Sequence, residues 1–474
     1  MSTKFHLLLL SGLALFGDAD IDILNTFLEN GVNNHVYPGA VGVVGSVDSL
    51  LYSNAVGRHS YDKNDTLMKL ETLFDLASLT KVVSTTSVVA LLYQMGLISL
   101  DTKIGTILGD EFMNGGKENI TVLNCLLHNA GFSPDPVPWY WDPSFGCPNT
   151  AHEYPEEDFS CLNSMIYNSF LTETLVTPPG EVYVYSDLSF ITLQMVVGTI
   201  VQQNNLVTTT DTAHCLSLTN NQENISKPQH IVCAFEAFVR TQVFHRPMNS
   251  LLKSKTTTGM HNTISTTDNT IDTNSSTTIP TTDETQWMSH TGYLPPSTLW
   301  NTCAPTLNDT GSGSYTHKRL QGQVADGDCY AMGGIAGHAG VFSTVSDVAK
   351  LAQYWLTERM ENDDFSSTTN VRDGSSSSSS TILPFLNATT VKLFSTLYNS
   401  TQSSRALGWS TNTPLVSSIS VYGSSGWCEN SVCSSNYWLY ITVQHHFDLY
   451  FHTQFTLFYW NRRRTMGMTT AAAT

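Results

Sequence analysis

Ser78-Leu79-Thr80-Lys81 heads a run in which Leu79, Val82, Val83, Thr86, Val89, Ala90 and Tyr93 recur at the spacing of a buried helical stripe. Gly96 then supplies a C-terminal stop. The pattern predicts a helix that starts at or near Ser78 and is packed into a core. A lysine three residues after a serine on a helix lies one turn away on the same face. A serine hydroxyl is a poor nucleophile at its free pKa and needs such a neighbouring base. At a helix N-terminus the free backbone N–H groups and the dipole favour negative charge, which suits a developing oxyanion. Ser250-Leu-Leu-Lys253 has the same spacing, with nothing catalytic around it. The context singles out Ser78; the tetrapeptide alone does not.

On either side of this helix the chain alternates ordered patterns with low-complexity stretches. Residues 36–57 read as two β-strands, β-branched runs broken by glycine and a polar turn. Pro178-Pro179-Gly180 marks a turn, and a second helix pattern runs from Asp187 towards Ile200. A glycine-rich block, Ala331 to Gly340, precedes a third helix pattern through Val345, Val348, Ala349, Ala352, Tyr354 and Trp355. Residues 204–225 and 249–290 are rich in Thr, Asn and Ser and poor in apolar residues. Such composition buries too little surface to offset its ordering entropy, so both read as disordered insertions around a short ordered piece, Ile231 to Val243. Residues 362–381, with Ser375 to Ser380, read as a third low-complexity loop.

The 474 residues carry a net charge of −18. That balance repels phosphate backbones and argues against nucleic acid as a partner. The N-terminus has a short basic lead, an apolar stretch from Leu7 to Phe16 and then small residues, the pattern of a secretory signal peptide over 1–19. The stretch is too short to span a bilayer, and no other segment is long and apolar enough. A secreted or secretory-pathway protein would expose its Asn-x-Ser/Thr sequons at Asn64, Asn119, Asn224, Asn274, Asn308, Asn387 and Asn399 to glycosylation. Nine cysteines without CxxC spacing argue against a structural zinc site and leave their pairing open. His445, His446 and His452 lack the spacing and acidic partner of a zincin, so no metal and no cofactor is expected.

Several blocks, taken in order, resemble the serine hydrolases related to class C β-lactamases, penicillin-binding proteins and EstB-type esterases. They are Tyr37-Pro-Gly-Ala-Val, Phe74-Asp-Leu-Ala-Ser-Leu-Thr-Lys81, Thr121-Val-Leu-Asn-Cys-Leu-Leu-His-Asn-Ala-Gly131 and Pro179-Gly-Glu-Val-Tyr-Val-Tyr-Ser-Asp187. Ala304-Pro-Thr, Leu320-Gln-Gly-Gln-Val, Met332 to Gly340 and Ala406-Leu-Gly-Trp409 continue the series. The resemblance covers roughly residues 30–200 and 290–410 and implies an α+β fold: an antiparallel β-sheet flanked by helices plus a mainly helical subdomain, β-lactamase/transpeptidase-like. It makes residues 20–421 one hydrolase domain. It implies Ser78 as nucleophile, Lys81 as base and Tyr185 as proton relay, with Asp187, His338 and Gly340 on the substrate side. Asp187 stands where the family more often has Asn, and it would hold Lys81 protonated and shift the burden onto Tyr185. His128 is expected to order its own turn. The implied activity is hydrolysis of a small-molecule or peptide substrate, an ester, amide or lactam, through an acyl-enzyme. The alternative is an impaired member serving as a binding or scaffold protein.

The resemblance fails at one place. A Lys/His-Thr-Gly motif should follow Trp409 shortly, and the nearest stand-in is Gly423-Ser424-Ser425-Gly426, which has no cationic or imidazole side chain. Tyr437-Trp438-Leu439-Tyr440 is what codons for His-Thr-Gly-Tyr can yield two bases out of register. Residues 422–474 therefore read as an aberrant, frame-shifted tail, and the central sheet is expected to lack an edge strand.

Overall fold

A computed structural model of the chain describes residues 18–46, 50–142, 159, 161–218, 225–245, 290–308, 319–364, 385–399, 405–410, 437–445 and 452–459. Strand β1 (Gly39–Ser46) is covered on both faces. Val41 and Val43 belong to the main core, whereas Ala40 and Val44 join Leu28, Tyr37 and Tyr52 in a smaller cluster under the helix Asp18–Asn33. Side chains alternate across a strand, so this parity follows directly from the sequence. β2 (Leu50–Gly57) pairs antiparallel with β1, from Gly39 opposite Gly57 to Gly45 opposite Leu50, as the strand pattern of 36–57 predicts.

The other edge of β1 holds β8 (Tyr437–His445), also antiparallel, with Ala40 opposite Val443 and Ser46 opposite Tyr437. β9 (His452–Tyr459) continues the sheet, giving the order β2-β1-β8-β9. This corrects the expectation of a missing strand. The stretch 437–445 is rich in aromatic and β-branched residues, which is strand propensity whatever its origin. It supplies the hydrogen-bond partners that β1 would otherwise leave open.

A second, three-stranded sheet has β7 (Val341–Ser343) between β3 (Phe74–Asp75) and β4 (Thr291–Tyr293). It joins the nucleophile segment to the glycine-rich block. The helical part centres on Asp187–Gln203, in which every residue from Leu188 to Gly198 is buried. A helix buried all round must be surrounded by others. Lys227–Val239 lies against it so closely that a Cβ on Gly198 would sit 2.1 Å from the Ile231 carbonyl oxygen.

The low-complexity reading of 204–225 is also corrected. Thr208 and Asp211 form a reciprocal capping box at the head of a helix, Thr209–Ser217, and Cys215 is disulfide-bonded to Cys233. The Thr and Asp residues that read as disorder serve as caps. The ordered piece expected over 231–243 extends from Lys227 to Phe244. The helix from Val345 runs to Asp364, into the stretch read as a loop from 362. Residues 1–17 of the leader read over 1–19, residues 249–289, 365–381 and 422–436, and the Ser250–Lys253 match lie outside the described residues. Among the described residues no helix is long and apolar enough to cross a membrane. Gly198→Ala should lower the unfolding free energy by about 1–3 kcal/mol despite alanine's better helix propensity, because the methyl meets a backbone oxygen. Urea denaturation of the two proteins measures this, and an equal or higher midpoint for the variant would contradict the close packing.

Candidate active site

Ser78 lies in a one-turn 3₁₀ segment, Ala77–Leu79, followed by a wider π-turn, Lys81–Thr86, and the α-helix Ser87–Gln94. Gly96, with φ +73°, ends the run where the sequence places the stop. The chain reverses between β3 and this helix at Ala77, whose φ of +44° is unusual for an alanine. Asp75 holds the reversal. One carboxylate oxygen accepts the Ala77 N–H at 2.9 Å and the other accepts the Ala325 N–H at 2.9 Å. Burial pushes this carboxyl up to about 6, against the two backbone hydrogen bonds that favour its ionised form.

Lys81 is 2 % exposed, and its ammonium has three partners. It donates to Ser78 Oγ at 3.0 Å and to the His338 carbonyl oxygen at 3.2 Å, and it stands 2.6 Å from Asp187 Oδ1. Burial alone would push the Lys81 pKa down. The Asp187 carboxylate and the Tyr185 phenol outweigh burial and hold it above the ordinary lysine range. Lys81 Nζ also lies 4.9 Å from the centroid of the Tyr185 ring. The three residues read from the sequence as nucleophile, base and relay are therefore gathered around one ammonium.

Asp187 begins the helix Asp187–Gln203, capped by Ser186. Two backbone anchors fix this corner: Asp187 N–H donates to the Pro134 oxygen at 2.8 Å, and Ser186 Oγ donates to the Ser133 oxygen at 2.7 Å. His128 reaches further than its own turn. Its Nδ1 accepts the Ser186 N–H at 3.0 Å, and its ring stacks on Tyr185 with centroids 4.5 Å apart. Burial, then the charges of Arg405 and Lys81, push this imidazole well below the usual histidine range, so it is neutral.

Two residues beside the site escaped the sequence reading. Arg405 lies with its guanidinium 5.2 Å from the Tyr185 ring centroid and 5.7 Å from that of Tyr183, and it donates to the Tyr183 hydroxyl at 3.2 Å. It falls just outside the Ala406–Trp409 block. Asp326 lies between the two blocks 320–324 and 332–340. One of its carboxylate oxygens caps the short helix Gly327–Ala331 by accepting the Cys329 N–H at 2.8 Å and stands 3.0 Å from His338 Nε2. An aspartate directly ahead of a helix start, a capping position, was the available signal.

His338 and Gly340, expected on the substrate side, are both buried behind Lys81. Gly340 has φ +106°, and a Cβ there would meet the Gly334 oxygen at 2.6 Å, so glycine is required by the fold of the block. Asp187, Asp326 and His338 bring their polar atoms within 4.8 Å of one another. This set does not fit a metal ion. The Lys81 ammonium already stands against Asp187, and His338 Nδ1 has no hydrogen-bond partner, whereas a metal-bound imidazole donates its other N–H.

Residues 24–204 match the family model described as Beta-lactamase. Over that stretch the chain is similar to the Beta-lactamase family. Its fold is similar to that of the D-alanine carboxypeptidase AmpC from Burkholderia cenocepacia, at 11 % identity and a TM-score of 0.51 over 94 % of this chain and 91 % of that one. A class C β-lactamase is similar at 13 % identity, TM-score 0.51, over 93 % and 90 %. At these identities the likeness establishes the β-lactamase/transpeptidase-like fold. No curated protein matches the sequence.

The Asp75 clamp predicts a pH dependence of stability. Its folded pKa, about 6, lies above the ordinary aspartate value of 3.8, so the fold favours the protonated carboxyl. That contribution is complete below pH 3.8 and is lost as pH rises through 6. The unfolding free energy of wild type minus that of Asp75→Asn should shrink between pH 4 and 7, by up to about 3 kcal/mol. Denaturation at both pH values checks this, and a constant difference would contradict it.

Proposed function

We propose that the chain is a serine hydrolase working through an acyl-enzyme on an ester or amide substrate. The observation that carries the proposal is the single ammonium of Lys81 touching Ser78 Oγ, Asp187 and the Tyr185 ring inside a β-lactamase-type fold. In this reading the Lys81–Tyr185 pair reacts in the form that has lost one proton: Ser78 Oγ attacks the substrate carbonyl carbon, and the serine proton fills that vacancy. The oxyanion meets the Ser78 N–H at the head of the helix. β9 passes within 8 Å, Cα to Cα, of the 77–79 turn, and its backbone is the candidate for the second donor. Tyr185 hands the proton to the leaving group, and water then attacks the acyl-enzyme by the same route in reverse. The ion pair with Asp187 keeps Lys81 charged at neutral pH. Tyr185 therefore carries more of the proton transfer than in a site with an uncharged third position.

Two observations favour a second reading, a binding protein that keeps the fold without turnover. The lysine is fully ion-paired, and the chain has no Lys/His-Thr-Gly motif after Trp409. For location we propose the secretory pathway, supported by the leader pattern, the Cys215–Cys233 bond and the exposed sequons at Asn64 and Asn119.

A fluorophosphonate or penicillin probe should label the wild type covalently and leave Ser78→Ala unlabelled. A folded wild type that takes no label supports the binding protein. A second measurement concerns Asp187. Asp187→Asn removes the charge that retains the Lys81 proton, so Lys81 becomes a base at lower pH. The acid limb of kcat/KM should move down by about one pH unit or more. A limb that stays in place removes Asp187 from control of the lysine.

A further inference from the structure

Tyr185 lies in a segment, 182–186, that is neither helix nor strand. A side chain that passes a proton needs a position fixed to a fraction of an ångström, and irregular backbone does not fix one by itself. The tethers on either side of Tyr185 run to a single residue. Val184 N–H donates to the His128 carbonyl oxygen at 2.8 Å, and Ser186 N–H donates to His128 Nδ1 at 3.0 Å. The same imidazole stacks on the Tyr185 ring, with centroids 4.5 Å apart and planes inclined by 26°. His128 thus grips residues 184, 185 and 186 in turn, and the middle one is the relay.

We propose that His128 is a positioning residue for Tyr185: its carbonyl and Nδ1 fix the backbone at 184 and 186, and its ring sets where the phenol lies beside Lys81 and Ser78. The inference rests on the hydrolase reading above and supplies the support which that reading leaves its relay without. Two tethers alone would close the loop. The stack adds control over the one side chain whose placement decides proton transfer.

The hydrogen bonding prescribes the state of the imidazole. Nδ1 accepts a backbone N–H and so carries no proton; the ring proton of the neutral form sits on Nε2. The residue is 1 % exposed, and Nε2 has no hydrogen-bond partner among the described residues. A second proton would set a donor on Nδ1 against the Ser186 N–H. Burial acts against that proton too, as do the charges of Arg405 and Lys81. His128 is itself well held. It follows the helix Val122–Leu126 with φ +55°, and its ring lies 5.0 Å from that of Phe190 on the helix Asp187–Gln203. The residues after it continue the support: the Asn129 oxygen accepts the Gly180 N–H at 2.7 Å, and the Gly131 oxygen accepts the Val176 N–H at 2.8 Å.

Asparagine separates the ring from the tethers. It tolerates a left-handed backbone, keeps the carbonyl, and offers Oδ1 where Nδ1 stood; only the ring is lost. The readout is kcat/KM for ethyl butyrate divided by that for 4-nitrophenyl butyrate. Ethoxide needs a proton from the relay in order to leave, whereas nitrophenolate leaves without one. In the full chain His128→Asn should lower this ratio about tenfold, and Tyr185→Phe should lower it further. The ratio does not depend on how much of a variant is folded. An unchanged ratio for His128→Asn, with or without loss of rate, overturns the proposal, because a role in folding alone treats both esters alike. Selective ¹⁵N-histidine NMR, with His128 assigned by its loss in His128→Asn, should show a proton on Nε2 and none on Nδ1 at pH 7. A charged ring or the opposite tautomer also overturns it. A wild type that never labels on Ser78 fails the hydrolase reading, and an unchanged ratio for Tyr185→Phe removes Tyr185 as relay. The positioning role falls with either, whereas its own failure leaves both standing.

Discussion

The rest of the site depends on one buried charge. Lys81 is held out of water with its ammonium inside the fold, and such a charge survives only where acceptors surround it. Asp187, the Ser78 hydroxyl and the His338 carbonyl supply them, and each comes from a different part of the chain. The nucleophile helix, the head of the helix 187–203 and the glycine-rich block must therefore reach their places together. The smaller contacts serve the same end. Asp75 ties the Ala77 reversal to Ala325, and Thr80 Oγ1 accepts the Val341 N–H at 3.2 Å. Gln194 bridges from its helix to the Ile335 carbonyl and the Gly337 N–H.

Much of this was legible in the sequence because it is local. The stripe after Ser78, the β-branched runs within 36–57 and the turn before Asp187 are local signals, and each became the element it implies. The Ser78–Lys81 contact follows from three-residue spacing on one helical face. The meeting of Asp187 with Lys81 follows from no local rule and came from the resemblance.

What escaped is non-local or depends on one hydrogen bond. Thr208 and Asp211 have the composition of a disordered linker, and only their mutual bonding makes them a cap. Asp326 and His338 are twelve residues apart, joined across a glycine turn that no periodicity describes. The tail offered aromatic and β-branched residues that could pair with any open edge. Which edge they took is a property of the sheet, not of the tail.

The pairing of Ala40 with Val443 has a temporal side. On the ribosome β1 emerges early, and its partner follows only after most of the remaining chain has been made. Until then one side of the strand keeps its backbone N–H and C=O groups unpaired, a template for the wrong neighbour. Domains that depend on such distant pairing fold slowly and expose aggregation-prone intermediates. Completion of this sheet is thus an event that follows synthesis, and the nascent chain is the kind that chaperones retain.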